Sequence, residues 1–117
     1  MGKLSTHVLD TRLGKPAQNV RIDLFRLEGE ERRLLKHDHT DHDGRCATPL
    51  LENETLAPGT YELVFHAGDY FAAQGVDLPH PRFVDQVSVR FGIADAGQNY
   101  HVPLLVTPWS WSTYRGS

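Results

Sequence analysis

A chain of 117 residues has room for one domain with a real core, and needs neither metal nor disulfide to hold it. Its net charge of -3, with both signs interspersed, gives no footing for nucleic acid or an anionic membrane. A single cysteine, Cys46, excludes an internal disulfide and fits a reducing compartment; no apolar leader occupies residues 1–6 and no apolar run reaches membrane length, so a cytoplasmic location is expected.

The first strand candidate covers residues 4–10. By alternation His7 shares a face with Ser5 and Leu9, while Thr6 and Val8 point the other way. Gly14-Lys15-Pro16 is a turn signal, and residues 20–27 then alternate with Val20, Ile22 and Leu24 on one face. Three histidines and three aspartates fall between His37 and Asp43. In extended chain His37 and His39 share a face, as two zinc ligands would need, but the spacing matches no ligand motif and Asp43-Gly44 reads as a tight turn. Metal held by His37, His39 and His42 would be adventitious. Arg45 follows that turn with a planar donor fork suited to a carboxylate or a polarised carbonyl. Cys46 beside Ala47 reads as a small core residue rather than a thiolate.

Pro58-Gly59 introduces a strand with Tyr61, Leu63 and Phe65 on one face. Residues 69–74 are the one helical candidate, with Asp69 as N-cap and Gly75 just past the end; Pro79 and Pro81 bar its extension. Val87, Val89 and Phe91 alternate next, Ala96-Gly97 turns the chain, and strands follow over 100–106 and 110–115. Pro103 lies inside one of these, where proline removes a ladder hydrogen bond, so a bulge or local break is predicted there, re-aiming His101. The whole reads as one all-β sandwich over 1–117 with one short helix.

His7 and His101 are natural proton shuttles near neutral pH, and become a pair if their strands are neighbours. No Gly-x-Ser-x-Gly elbow and no phosphate-binding glycine loop is present. The tail Tyr114-Arg115-Gly116-Ser117 brings a phenol, a guanidinium and a carboxylate together within four residues, which suggests a terminus built into a site.

Several segments carry a resemblance that composition does not supply. They are Leu4-Ser5-Thr6-His7-Val8-Leu9-Asp10, Asp43-Gly44-Arg45-Cys46, Gly59-Thr60-Tyr61-Glu62-Leu63, Tyr100-His101-Val102-Pro103-Leu104-Leu105 and Ser112-Thr113-Tyr114-Arg115-Gly116-Ser117. Together they resemble the transthyretin-related 5-hydroxyisourate hydrolases, and the likeness spans essentially the whole chain. The resemblance implies a transthyretin fold of two four-stranded antiparallel sheets with one short helix. It implies a homotetramer, a dimer of dimers around a channel, with sites where subunits meet. His7, Arg45, His101 and Tyr114 would be catalytic, and His7, Arg45 and Tyr114 would also bind substrate. Arg115 and the Ser117 carboxylate would fix the tail through charge pairing, with Gly116 between them, behind those residues. The implied reaction is water-mediated lactam opening of 5-hydroxyisourate without cofactor or metal. The rival is a hormone-type carrier of the same fold, which has lysine, glutamate and two threonines where His7, Arg45, His101 and Tyr114 stand. An adhesion or stalk sandwich is a second rival, by fold analogy alone.

Overall fold

Period-two burial builds the molecule. In the computed structural model, which describes residues 2–116, β1 (Lys3–Asp10) buries Leu4, Thr6, Val8 and Asp10 and turns the residues between them outward. β8 (Tyr100–Val106) likewise buries Tyr100, Val102, Leu104 and Val106. These strands lie side by side with β2 (Lys15–Pro16), β5 (Leu51–Glu52) and β9 (Trp111–Thr113) in one sheet, ordered β2-β1-β8-β9 with β5 also on β1. The second sheet runs β4-β3-β6-β7, from β3 (Arg21–Glu28), β4 (Glu31–His39), β6 (Gly59–His66) and β7 (Gln86–Ile93). Ile22, Leu24, Tyr61, Leu63, Phe65 and Val87 face the first sheet and complete the core. Each pairing is antiparallel except β1 with β8, which is parallel.

Two expectations need correction. The helix, α1 (Ala67–Ala73), begins two residues before Asp69. β6 runs directly into it, His66 takes the cap position, and the Gly68 N–H is satisfied by the Asp85 carbonyl at 2.8 Å. The Asp69 carboxylate is held by Arg82 at 2.7 Å instead of capping. Gly75, with φ +81, does end the helix as expected.

The bulge predicted at Pro103 is absent. β1 and β8 pair without a shift through Thr6↔Val102, His7↔Pro103 and Val8↔Leu104. The missing N–H falls on the other edge of β8. There the Gly116 N–H donates to the His101 carbonyl at 2.7 Å, and antiparallel alternation makes residue 103 the next one whose N–H would face the tail. The ladder with β9 accordingly stops at Leu104↔Thr113 and resumes as the lone bridge His101↔Gly116. Thr113 spans the gap by donating its hydroxyl to the Pro103 carbonyl at 2.6 Å. His101 faces outward by strand alternation alone.

At the end of β1, buried Asp10 ties the strand to the helix. Its Oδ2 accepts from the Tyr70 hydroxyl at 2.9 Å and from Arg12 at 3.1 Å. Burial, then the Asp10 contact, pushes the Tyr70 phenol up to about 12, so it remains a donor. Among the described residues, no helix is long and apolar enough to cross a membrane.

Candidate active site

The outward face of β1 and β8 collects the residues singled out by chemistry. Ser5 is the register partner of His101 and His7 that of Pro103, so the two histidines are diagonal neighbours on one face of adjacent strands. This meets the condition on which their pairing depended.

Arg45 arrives at the far edge of β1. It forms an isolated antiparallel bridge with His7, and the Val8 N–H donates to the Gly44 carbonyl at 2.8 Å. The turn that delivers it is organised by Asp41, whose Oδ1 accepts from the Asp43 N–H at 2.9 Å and the Arg45 N–H at 3.1 Å. Those two backbone donors, Arg45 first, hold the Asp41 carboxyl below its ordinary value. Gly44 is required here: its φ is +76, and a Cβ would run into the Val8 carbonyl oxygen. Among the described residues the Arg45 guanidinium makes no ion pair and no hydrogen bond, and the residue is exposed. Beside it a cleft of about 140 Å³ is lined by Ser5, Thr6, Arg45 and Cys46.

The histidines are held differently. His7 Nε2–H donates to the Asp43 carbonyl at 2.8 Å. His101 Nδ1 is hydrogen-bonded to Ser5 Oγ at 2.9 Å. Burial, then the positive charge of Arg45, then His7, lowers the His101 pKa below the ordinary histidine value of 6.5. The ring is therefore mainly neutral at neutral pH and able to accept a proton. Cys46 is excluded as a nucleophile, because burial pushes its thiol up to about 12.

The tail is pinned across β8. Besides the bridge to His101, the Arg115 guanidinium donates to Gln98 Oε1 at 2.9 Å and to the Asn99 carbonyl at 3.0 Å, and stacks 4.4 Å above the Tyr100 ring centre. Neutral acceptors and an aromatic face hold it; the expected charge pair with Ser117 lies outside the described residues. Gly116 presses on His101 so closely that a Cβ would stand 2.8 Å from its Cδ2.

Of the four residues expected to be catalytic, the structure gathers His7, Arg45 and His101. Tyr114 stands apart: it is 62% exposed and lines a cleft of about 270 Å³ with Val89, Phe91, Tyr100 and Val102. His37 and His39 sit on β4 opposite Asp23 and Arg21, while His42 lies in the turn. Among the described residues the close donor group is instead Asp41, His42 and Asp43. Ser5 and Asp41 are the site residues that motif reasoning passed over. Alternation already placed Ser5 beside His7, and Asp41 stands three residues before Gly44, as turn-forming aspartates do.

These features define a sandwich whose outward sheet face carries two histidines and an exposed arginine. The chain belongs to the HIUase/Transthyretin family, whose model matches residues 4–116. It is 60% identical over 116 residues to the 5-hydroxyisourate hydrolase 2 of Rhizobium meliloti, an alignment covering 99% of this chain and 97% of that protein. The solved 5-hydroxyisourate hydrolase of Klebsiella pneumoniae superposes with a TM-score of 0.81 at 35% identity, covering 100% of this chain and 94% of that one. A solved (S)-allantoin synthase matches with a TM-score of 0.94 at 45% identity over 99% of this chain, but only 44% of its own length. The protein is thus a transthyretin-like sandwich, and the Rhizobium meliloti and Klebsiella pneumoniae proteins that it matches nearly end to end are named 5-hydroxyisourate hydrolases.

Proposed function

We propose that this chain hydrolyses the cyclic amide of 5-hydroxyisourate, giving 2-oxo-4-hydroxy-4-carboxy-5-ureidoimidazoline, as a cytoplasmic homotetramer of single-domain subunits. The observation that carries this reading is the convergence of His7, Arg45 and a neutral His101 on one sheet face, in a chain 60% identical over nearly its full length to a protein named for that reaction. Full-length likeness at this level supports the substrate, and the site supplies the chemistry.

Water is the nucleophile. His101 takes a proton from it, and the resulting hydroxide adds to the ring carbonyl carbon. The exposed Arg45 fork stabilises the oxygen as its negative charge grows. As the tetrahedral intermediate collapses, the C–N bond breaks and the leaving nitrogen takes the proton from His101, restoring the neutral ring. His7, anchored on Asp43, binds the substrate edge. Exposed Tyr114 fits a role as a wall that one subunit lends to a neighbour's site, and Arg115 and Gly116 keep the tail against β8.

The test is to mix the protein with freshly generated 5-hydroxyisourate and follow its ultraviolet absorbance. Decay much faster than in buffer is expected. Decay at the buffer rate would remove the hydrolase reading and favour a carrier of planar aromatic anions.

A further inference from the structure

The two nitrogens of a histidine ring are told apart by what each one touches. For His7 the partner settles it: a carbonyl only accepts, so the Nε2 that lies 2.8 Å from the Asp43 oxygen carries the hydrogen. For His101 the partner is a hydroxyl, which can give or take. Its ring is clasped from two sides, by Ser5 Oγ on the Nδ1 edge at 2.9 Å and by Gly116 against Cδ2. Among the described residues, Nε2 has no hydrogen-bond partner. The clasp is a consequence of register, since Ser5 and His101 are directly paired across β1 and β8.

We propose that Ser5 is a positioning residue, whose hydroxyl oxygen accepts the Nδ1–H of His101 and so leaves Nε2 bare as the atom that takes the proton from water. This rests on the hydrolase reading above and adds which atom acts and what selects it. The direction of the bond follows from the charged state. Once Nε2 is protonated, the imidazolium carries hydrogen on both nitrogens, and Nδ1–H needs an acceptor. If Ser5 already accepts in the resting ring, proton uptake leaves the contact unchanged, and the serine proton turns toward solvent from a half-buried position. The reverse bond would require the hydroxyl to rotate during the transfer, losing the preorganisation that makes such contacts useful. The charges that face His101 agree with a neutral resting ring: His7 from β1 and Arg45 from the bridge beside it are cationic or potentially so, while Arg115 is turned to Gln98 and Asn99.

The test reads the tautomer directly, by long-range proton–nitrogen NMR on protein labelled with nitrogen-15 histidine at neutral pH. The wild-type ring should show a protonated Nδ1 and a bare Nε2. Ser5→Ala should give mixed tautomers, lower kcat by about tenfold with KM little changed, the scale of one lost hydrogen bond, and move the acid limb of the rate profile to lower pH. Ser5→Thr, which keeps the hydroxyl, should restore all three. An Nε2–H ring in the wild type, or a folded Ser5→Ala protein with unchanged tautomer and kcat, would overturn the proposal. The two readings fail separately. An inactive protein with an Nδ1–H ring sinks the hydrolase and keeps the hold of Ser5 on the tautomer. An active one with an Nε2–H ring keeps the hydrolase and discards this role for Ser5.

Discussion

Arg45 is fixed at its backbone by Asp41 and His7, and among the described residues its guanidinium is unengaged. That is the arrangement of a donor waiting for a charge that develops elsewhere. Arg45→Lys keeps the charge but loses the fork, so kcat should fall roughly a hundredfold, the scale of a lost oxyanion donor. NMR titration of the same variant should still find the His101 pKa low, whereas Arg45→Met should let it rise. A lowered histidine pKa also sets a pH window. The neutral ring persists below the ordinary value of 6.5, so kcat/KM should hold from neutrality down past that value and fall only below it. The sign for stability is the same: the unfolded chain takes up the proton first, so the contribution of His101 is present at neutral pH and declines as pH drops through 6.5. A limb centred above 6.5 would contradict both. His7→Lys removes the ring that anchors on the Asp43 carbonyl and would bind the substrate edge, and it places a permanent cation beside Arg45 and His101. Turnover should fall by about tenfold or more, the scale of a lost positioning contact, while circular dichroism finds the fold intact, because Thr6 and Val8 on its core side are untouched. Near-normal turnover would reduce His7 to lining. At this scale the candidates were legible one by one. The Ser5–His101 contact was not, because it depends on which strands pair, and alternation within one strand carries no record of its neighbour.

The elements were legible where one face is buried and one is wet. β1, β3, β6, β7 and β8 all announce themselves by alternation. β4 is not legible over residues 31–36, where Glu31-Arg32-Arg33-Leu34-Leu35-Lys36 shows no period of two. It is an edge strand bonded only to β3 and largely exposed, so packing selects little and charge guards the edge. Pro103 shows a different limit. The sequence implies the lost hydrogen bond, but which edge loses it depends on the strand order, and the break falls beside the tail. The tail therefore depends on a few contacts: Thr113 to Pro103, Gly116 to His101, and Arg115 to Gln98, Asn99 and Tyr100. Deleting residues 114–117 removes the Gly116 side of the His101 clasp without touching β3, β6 or β7. Circular dichroism should report an intact sandwich and turnover should nearly vanish. More than about a tenth of the rate, a barrier change under about 1.4 kcal/mol, would make the tail mere packing.

For the whole molecule, the fold places His7, Arg45 and His101, the residues of the proposed site, on the outward face of the β1–β8 sheet, away from the core that stabilises it. Large aromatics flank that sheet in the open, with Trp109 60%, Trp111 44% and Tyr114 62% exposed, which supports burial between subunits in the proposed tetramer. The division of labour means a site residue can be replaced without unfolding the sandwich. His101→Asn uses this most directly: it keeps a polar side chain beside Ser5 and Gly116 but removes the group that takes the proton. Its initial rate of 5-hydroxyisourate decay, measured against wild type on protein checked for fold, should be lower by roughly a hundredfold or more. A folded variant within tenfold of wild type would contradict the assignment of His101 as the base, and with it the account of how this face works.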